Sequence, residues 1–123
     1  MKNIKYLLVA LALSGCVAQP SLYSWGKYEN SLYDFYKKPE GLSEYIGHLE
    51  ATVERGEKNN NVAPGIYAET GYAYFTAGNT KLAIEYFEKE KTKWPEAASL
   101  MDVMISNASK IKPSAVEEVK NDG

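Results

Sequence analysis

Pro64-Gly65-Ile66-Tyr67-Ala68-Glu69-Thr70-Gly71-Tyr72-Ala73-Tyr74 opens a segment that breaks at Gly78-Asn79, resumes as Leu82-Ala83-Ile84-Glu85-Tyr86-Phe87, and closes at Trp94-Pro95. Proline suits a first helical turn, and Gly-Asn is a turn signal. The segment reads as two short helices folded back on each other, the first from about Gly65 to Ala77 and the second from about Thr80 to Lys91. The first has two apolar stripes, Tyr67/Thr70/Gly71/Tyr74 and Ala68/Tyr72/Phe75. A helix apolar on two sides is expected between two neighbours. The second turns Leu82, Ala83, Tyr86 and Phe87 inward, with Lys81, Glu85 and Lys89 four apart on its outer face.

The flanking sequence supplies those neighbours. Upstream, Trp25, Tyr28, Leu32, Phe35 and Tyr36 recur at helical spacing, with Ser24 as N-cap and Pro39 as the stop. Leu42, Tyr45, Ile46, Leu49 and Val53 form the stripe of a helix over Leu42 to Lys58, weakened at Gly56 and closed by Asn59-Asn60-Asn61. Lys58 to Ala63 reads as a polar loop. Downstream, Ala97, Leu100, Met101, Met104, Ile105 and Ala108 give one apolar face over about Glu96 to Ile111, suited to a capping helix. The expected fold is all-α, with two αα-hairpins plus a C-terminal capping helix, about five helices over residues 22–111. Residues 112–123, polar and carrying Glu117 and Glu118, are expected to be a flexible tail.

Counted from Pro64 as position one, the central segment also resembles the tetratricopeptide repeat (TPR), whose period is about 34 residues. Gly71, Tyr74, Ala83, Phe87 and Pro95 fall on signature positions in one register. Tyr67 stands in place of Trp, Thr70 in place of Leu and Glu90 in place of Ala. Trp25 to Lys58 has the helical-pair layout without the signature residues. A carboxylate at a packing position must find a partner or stay wet. Glu90 therefore either lies at an exposed helix end or makes a fixed contact to the start of helix five.

The amino terminus carries a different signal. Lys2 and Lys5 precede the apolar run Tyr6 to Leu13, followed by Leu13-Ser14-Gly15-Cys16. A basic start, a short apolar run and small residues form a secretory signal, too short to span a membrane as a helix. The last four residues resemble the lipobox of bacterial lipoproteins. The resemblance implies removal of residues 1–15 and acylation of Cys16, on its sulfur by diacylglycerol and then on its amine. Cys16 is the single cysteine, so no disulfide forms within one chain. Residues 17–21 make a short linker. With Val17 rather than Asp after Cys16, the resemblance points to the periplasmic face of the outer membrane, or to the cell surface in a single-membrane bacterium. Two or three acyl chains anchor far more firmly than one.

Charge and composition exclude other classes. The formal net charge is -2, and without Lys2 and Lys5 the chain keeps 12 basic against 16 acidic side chains. That balance offers no electrostatic footprint for nucleic acid. His48 is the single histidine, which leaves a metal site or a Ser-His-Asp set without its parts. Glu85, Glu88 and Glu90 alternate with lysines as a solvated helix face does. No enzyme activity, no metal and no cofactor are expected.

The stretch Leu22 to Glu29, together with Pro64-Gly65-Ile66-Tyr67-Ala68, Gly71-Tyr72, Phe87 to Lys91, Trp94-Pro95-Glu96 and Met101, resembles a family of small bacterial lipoproteins with a domain of unknown function and TPR-like character. The resemblance implies a periplasmic lipoprotein without an assigned activity, in an envelope or curli-secretion-like assembly. The expected function is a non-enzymatic protein–protein interaction or scaffold module. The alternative is a cell-wall-associated lipoprotein that binds peptidoglycan or regulates a wall enzyme. Fourteen aromatic residues after Cys16 exceed what five helices bury, so a protein partner or self-association is expected. Trp25, Tyr28, Tyr72 and Phe75 are the candidate interface.

Overall fold

The structure, a computed structural model, describes residues 21–111. The expected signal peptide at 1–15, Cys16 with the linker residues 17–20, and the expected tail at 112–123 lie outside the described residues. Five α-helices follow in order: α1 (Tyr28–Lys37), α2 (Leu42–Lys58), α3 (Ile66–Thr76), α4 (Thr80–Lys93) and α5 (Ala98–Lys110). Single 3₁₀ turns, Pro39–Gly41 and Pro95–Ala97, lead into α2 and α5. Among the described residues there is no strand. Each helix packs on the next in sequence, α3 on α4 most extensively. The expected all-α architecture of two hairpins and a final helix is what forms.

The hairpin α3–α4 closes as its sequence requires. Gly78-Asn79 makes the turn, and Asn79 Oδ1 accepts the Leu82 N–H at 3.1 Å as the N-cap of α4. A Cβ at Gly71 would lie 2.7 Å from the Phe87 ring and 3.0 Å from the Ala83 carbonyl oxygen. Only a hydrogen there lets the two helices approach. Ala83 and Phe87 are buried and join Met101 of α5 in one core cluster, packed by Phe75, Met104 and Ile105. A second cluster, Tyr45, Leu49 and Ala73, joins α2 to α3, and Phe35 of α1 stacks on Tyr45 at 4.7 Å.

The third cluster corrects two expectations. Val62 and Ala63, in what reads as a polar loop, are 2% and 0% exposed and pack with Val53, Ile66 and Tyr67. Gly56 is no weak point. A Cβ there would meet Val62 Cγ2 at 2.8 Å and Val62 Cα at 2.9 Å, so the glycine admits the returning chain. The helix ends just after it in a Schellman turn. Asn60, at φ 52, donates to the Glu57 carbonyl, and Asn61 donates to the Gly56 carbonyl at 2.8 Å.

Helix boundaries differ mainly at the start. α1 begins at Tyr28, not near Ser24, because Gly26 at φ 55 turns the chain just before it. Ser24 is not an N-cap. Its backbone N–H donates to the Asn61 carbonyl at 3.0 Å and its hydroxyl to Asn61 Oδ1 at 2.5 Å. The inward face of α1 is Tyr28, Ser31 and Phe35, whereas Leu32, Tyr33 and Tyr36 face outward. Leu100 in α5 also points out, at 61% exposed, leaving Met101, Met104, Ile105 and Ala108 to pack.

Candidate functional site

The segment before α1 is strapped to the body of the molecule. The Ser24–Asn61 pair holds it to the α2–α3 loop. Tyr23 meets Trp94 edge-on at 6.1 Å and Trp25 at 6.5 Å, and Trp25 lies 5.9 Å from Tyr28. This aromatic chain runs from the C-cap of α4 to the first turn of α1. Aromatic pairs at such distances add about 0.5–1.5 kcal/mol each beyond their burial. The N-terminal end of the domain thus sits beside the α2–α3 loop and Trp94.

Between α2 and α3 the contact is a lattice of phenols and carboxylates. Tyr45 Oη donates to Glu69 Oε1 at 2.8 Å, Tyr67 Oη to Glu57 Oε1 at 2.9 Å, and Tyr74 Oη to Glu50. Each helix supplies both donors and acceptors, which fixes the register of the pair. Lys89 of α4 reaches the same Glu57 oxygen at 2.9 Å and lies over the Tyr67 and Tyr86 rings at 5.5 and 5.3 Å. Lys89 thus bonds across the helices, not to Glu85 along its own. Tyr86 stacks on Tyr74 at 5.7 Å.

The lattice sets the titration of its members. Burial, then the bond to Glu69, pushes the Tyr45 phenol well above its ordinary value. Burial and the bonds to Glu57 and Glu50 do the same for Tyr67 and Tyr74. Tyr28 and Tyr86 are also raised, by burial first and by nearby carboxylates. The Lys89 ammonium holds Glu57 below the usual carboxylate range, aided by the Tyr67 hydroxyl against a smaller opposing effect of burial. Every group here is held by a neighbour.

Glu90 corrects both expectations. It is 2% exposed, and its contact is to the start of α3, not to α5. Its Oε1 accepts the Gly65 N–H at 2.7 Å and its Oε2 accepts the Ala68 N–H at 3.3 Å. Gly65 is the N-cap of α3, at φ 88, and has no side chain to cap with. Glu90 therefore serves both amides that a capping box would serve locally. The negative charge also sits at the positive end of the helix dipole.

The structure separates the four candidate interface residues. Trp25 and Tyr28 adjoin, Trp25 exposed and Tyr28 half-buried against two core clusters. Phe75 is half-buried on the Phe87 cluster. Tyr72 points outward at 54% exposed. The apolar residues the sequence reading missed are Tyr33 on α1 and Val103 on α5, both exposed. Helical wheel position alone could have flagged them, since each lies off its helix's packed stripe. His48 lies 3.8 Å from Glu44 on the same helix. Among the described residues no three His, Cys, Asp or Glu side chains converge as a metal site. Ser31 Oγ donates to the Tyr28 carbonyl at 2.8 Å, so it is engaged as a helix back-bond.

Residues 22–104 match the family described as a domain of unknown function, DUF4810. The chain belongs to that family. The DUF4810 match takes in α1 to α4 and reaches Met104 in α5, so the strap, the phenol lattice and Glu90 all lie inside it. No curated protein and no solved structure matches the chain.

Proposed function

We propose that this DUF4810 chain is a lipid-anchored lipoprotein of the periplasmic face of the outer membrane, acting as a non-enzymatic scaffold with TPR-like packing. The lipid anchor is argued from Lys2, Lys5, the apolar run Tyr6 to Leu13 and Leu13-Ser14-Gly15-Cys16. The TPR likeness is supported by Gly71, Ala83 and Phe87, three signature positions that meet in one contact.

The observation that carries the scaffold reading is the outward apolar set Tyr72, Leu100 and Val103 on α3 and α5. Repeat stacks bury such faces against further repeats, and about three units are usual for stability. Here the stack ends at α5 in the described residues. Tyr is an efficient anchor for a partner because it loses little side-chain freedom on binding. The partner, in this reading, is a protein of an envelope or secretion assembly.

A photo-crosslinking residue at Tyr72 or Val103, introduced in the native host, tests this. Specific crosslinks to an envelope protein support the scaffold. Recovery of peptidoglycan or wall enzymes instead favours the cell-wall role. Acyl labelling lost in Cys16→Ser supports the anchor, and continued labelling overturns it.

A further inference from the structure

The outward face of α1 carries exposed apolar residues of a different character from Tyr72, Leu100 and Val103 of α3 and α5. Leu32, Tyr33 and Tyr36 form it, Tyr36 being 79% exposed, with Leu22 at 75% and Trp25 exposed just before the helix. Lys37 lies 5.4 Å over the Tyr33 ring. Tyr and Trp with lysine beside them are the residues enriched where protein meets lipid head groups, because each joins an apolar body to a polar tip.

Position selects the occupant. The described domain begins at Ser21, five residues after Cys16. Five residues span at most about 18 Å even when extended. If Cys16 is acylated, Ser21 cannot leave the head-group region, and the strap fixes α1 to the body directly after it. Tethering also turns a weak surface contact into an intramolecular one, so a patch too small to bind lipid from solution docks once anchored.

We propose that the outward face of α1, with Leu22 and Trp25, rests on the lipid surface and so fixes how the anchored domain sits on it. This rests on the lipoprotein reading above. The docking is aromatic and aliphatic in kind and needs no net positive charge.

The test uses the acylated full chain, purified from cells and reconstituted in phosphatidylethanolamine/phosphatidylglycerol vesicles. Hydroxyl-radical footprinting compares Tyr33 and Tyr36 with Tyr72 in the same molecule. Lipid burial slows oxidation of Tyr33 and Tyr36 by about threefold or more relative to Tyr72, as expected of interfacial aromatic rings. Brominated lipids in the same vesicles quench Trp25 in a Trp94→Phe variant, which separates lipid contact from contact with a second protein. The exposed pair Tyr33→Glu and Tyr36→Glu abolishes that quenching while helix content and acyl mass stay unchanged. Equal oxidation of Tyr33, Tyr36 and Tyr72, or unquenched Trp25, in protein whose mass shows the acyl chains overturns the docking alone. Absence of the acyl mass overturns the lipoprotein reading and this inference with it.

Discussion

The carboxylate of Glu90 accepts the backbone N–H of Gly65 at 2.7 Å, so the last turns of α4 cap the first turn of α3. The two ends of the hairpin are thereby locked where no turn joins them. Removing the acceptor leaves two part-buried amides without their partner and empties the buried place of the carboxylate, and an unmade bond at such a site costs about 1–3 kcal/mol. Glu90→Ala is expected to lower stability by about 2–3 kcal/mol, a fall in Tm of roughly 10 °C or more for a domain of this size. Glu90→Gln keeps one acceptor oxygen and loses about half of that. Thermal denaturation followed by circular dichroism at 222 nm checks the order. Equal Tm for Glu90→Ala and the parent would show that the cap carries no stability.

Three glycines sit inside helices and respond differently to the same methyl group. At Gly71 the new Cβ falls 2.7 Å from the Phe87 ring, and at Gly56 it falls 2.9 Å from Val62 Cα. Overpacking of this kind destabilises by about 1–3 kcal/mol. At Gly47, inside α2, nothing lies within 4 Å. There Gly→Ala only restricts the unfolded chain and is expected to stabilise by about 0.5–1 kcal/mol. Urea melts of the three variants should rank Gly47→Ala above the parent and Gly71→Ala and Gly56→Ala below it.

The phenol lattice makes a prediction for alkaline solution. Tyr45, Tyr67 and Tyr74 are raised above their ordinary value of 10.0 by burial and by donating to carboxylates. Above that value the unfolded chain has already released protons that the folded chain still holds. Their contribution is complete below the ordinary value and is lost as pH climbs through the raised ones. Stability should therefore fall steeply on the alkaline side, with a group of phenolate signals at 295 nm appearing only together with unfolding. Glu57 acts in the opposite sense, because its partner Lys89 lowers it. Its contribution is present above the ordinary 4.5 and lost as pH falls below it. The Glu57 side chain is 44% exposed, so that acid arm is shallow and weakens further with salt.

The hairpin was legible because its signals are local. Gly78-Asn79, the apolar period and the Pro95 stop each act within a few residues. The Leu42 to Lys58 helix was legible for the same reason. What stayed hidden depends on partners distant in sequence. Glu90 is capped to residues more than twenty positions earlier, and nothing in Phe87-Glu88-Lys89-Glu90 announces a free amide at Gly65. Val62 and Ala63 are too short a run to show a period, yet the Schellman turn at Asn60 aims them inward. α1 carries aromatic and aliphatic residues over an arc of nearly half its circumference, wider than the strip it packs, so periodicity alone could not choose the packed face. The contact of Phe35 with Tyr45 decides it.

The last prediction concerns the strap that carries the chain from the body toward Cys16. Ser24 gives two bonds to Asn61, one from its amide and one from its hydroxyl, and Tyr23 leans on Trp94. Tyr23 packs on the outside of the Val53, Val62 and Ile66 cluster, but none of these contacts enters the buried set around Phe87, so losing them should loosen the strap before the bundle unfolds. Ser24→Ala removes only the hydroxyl bond, worth about 0.5–1.5 kcal/mol net. Trp94→Ala removes the ring that Tyr23 rests on and frees the segment further. In hydrogen exchange, the Ser24 amide should lose its protection in Trp94→Ala, while amides in the centre of α4 keep theirs apart from the small global loss. If the Ser24 amide and the α4 amides lose protection by the same factor, the strap unfolds only with the whole domain. It would then be a fixed part of the core and not a separately releasable arm.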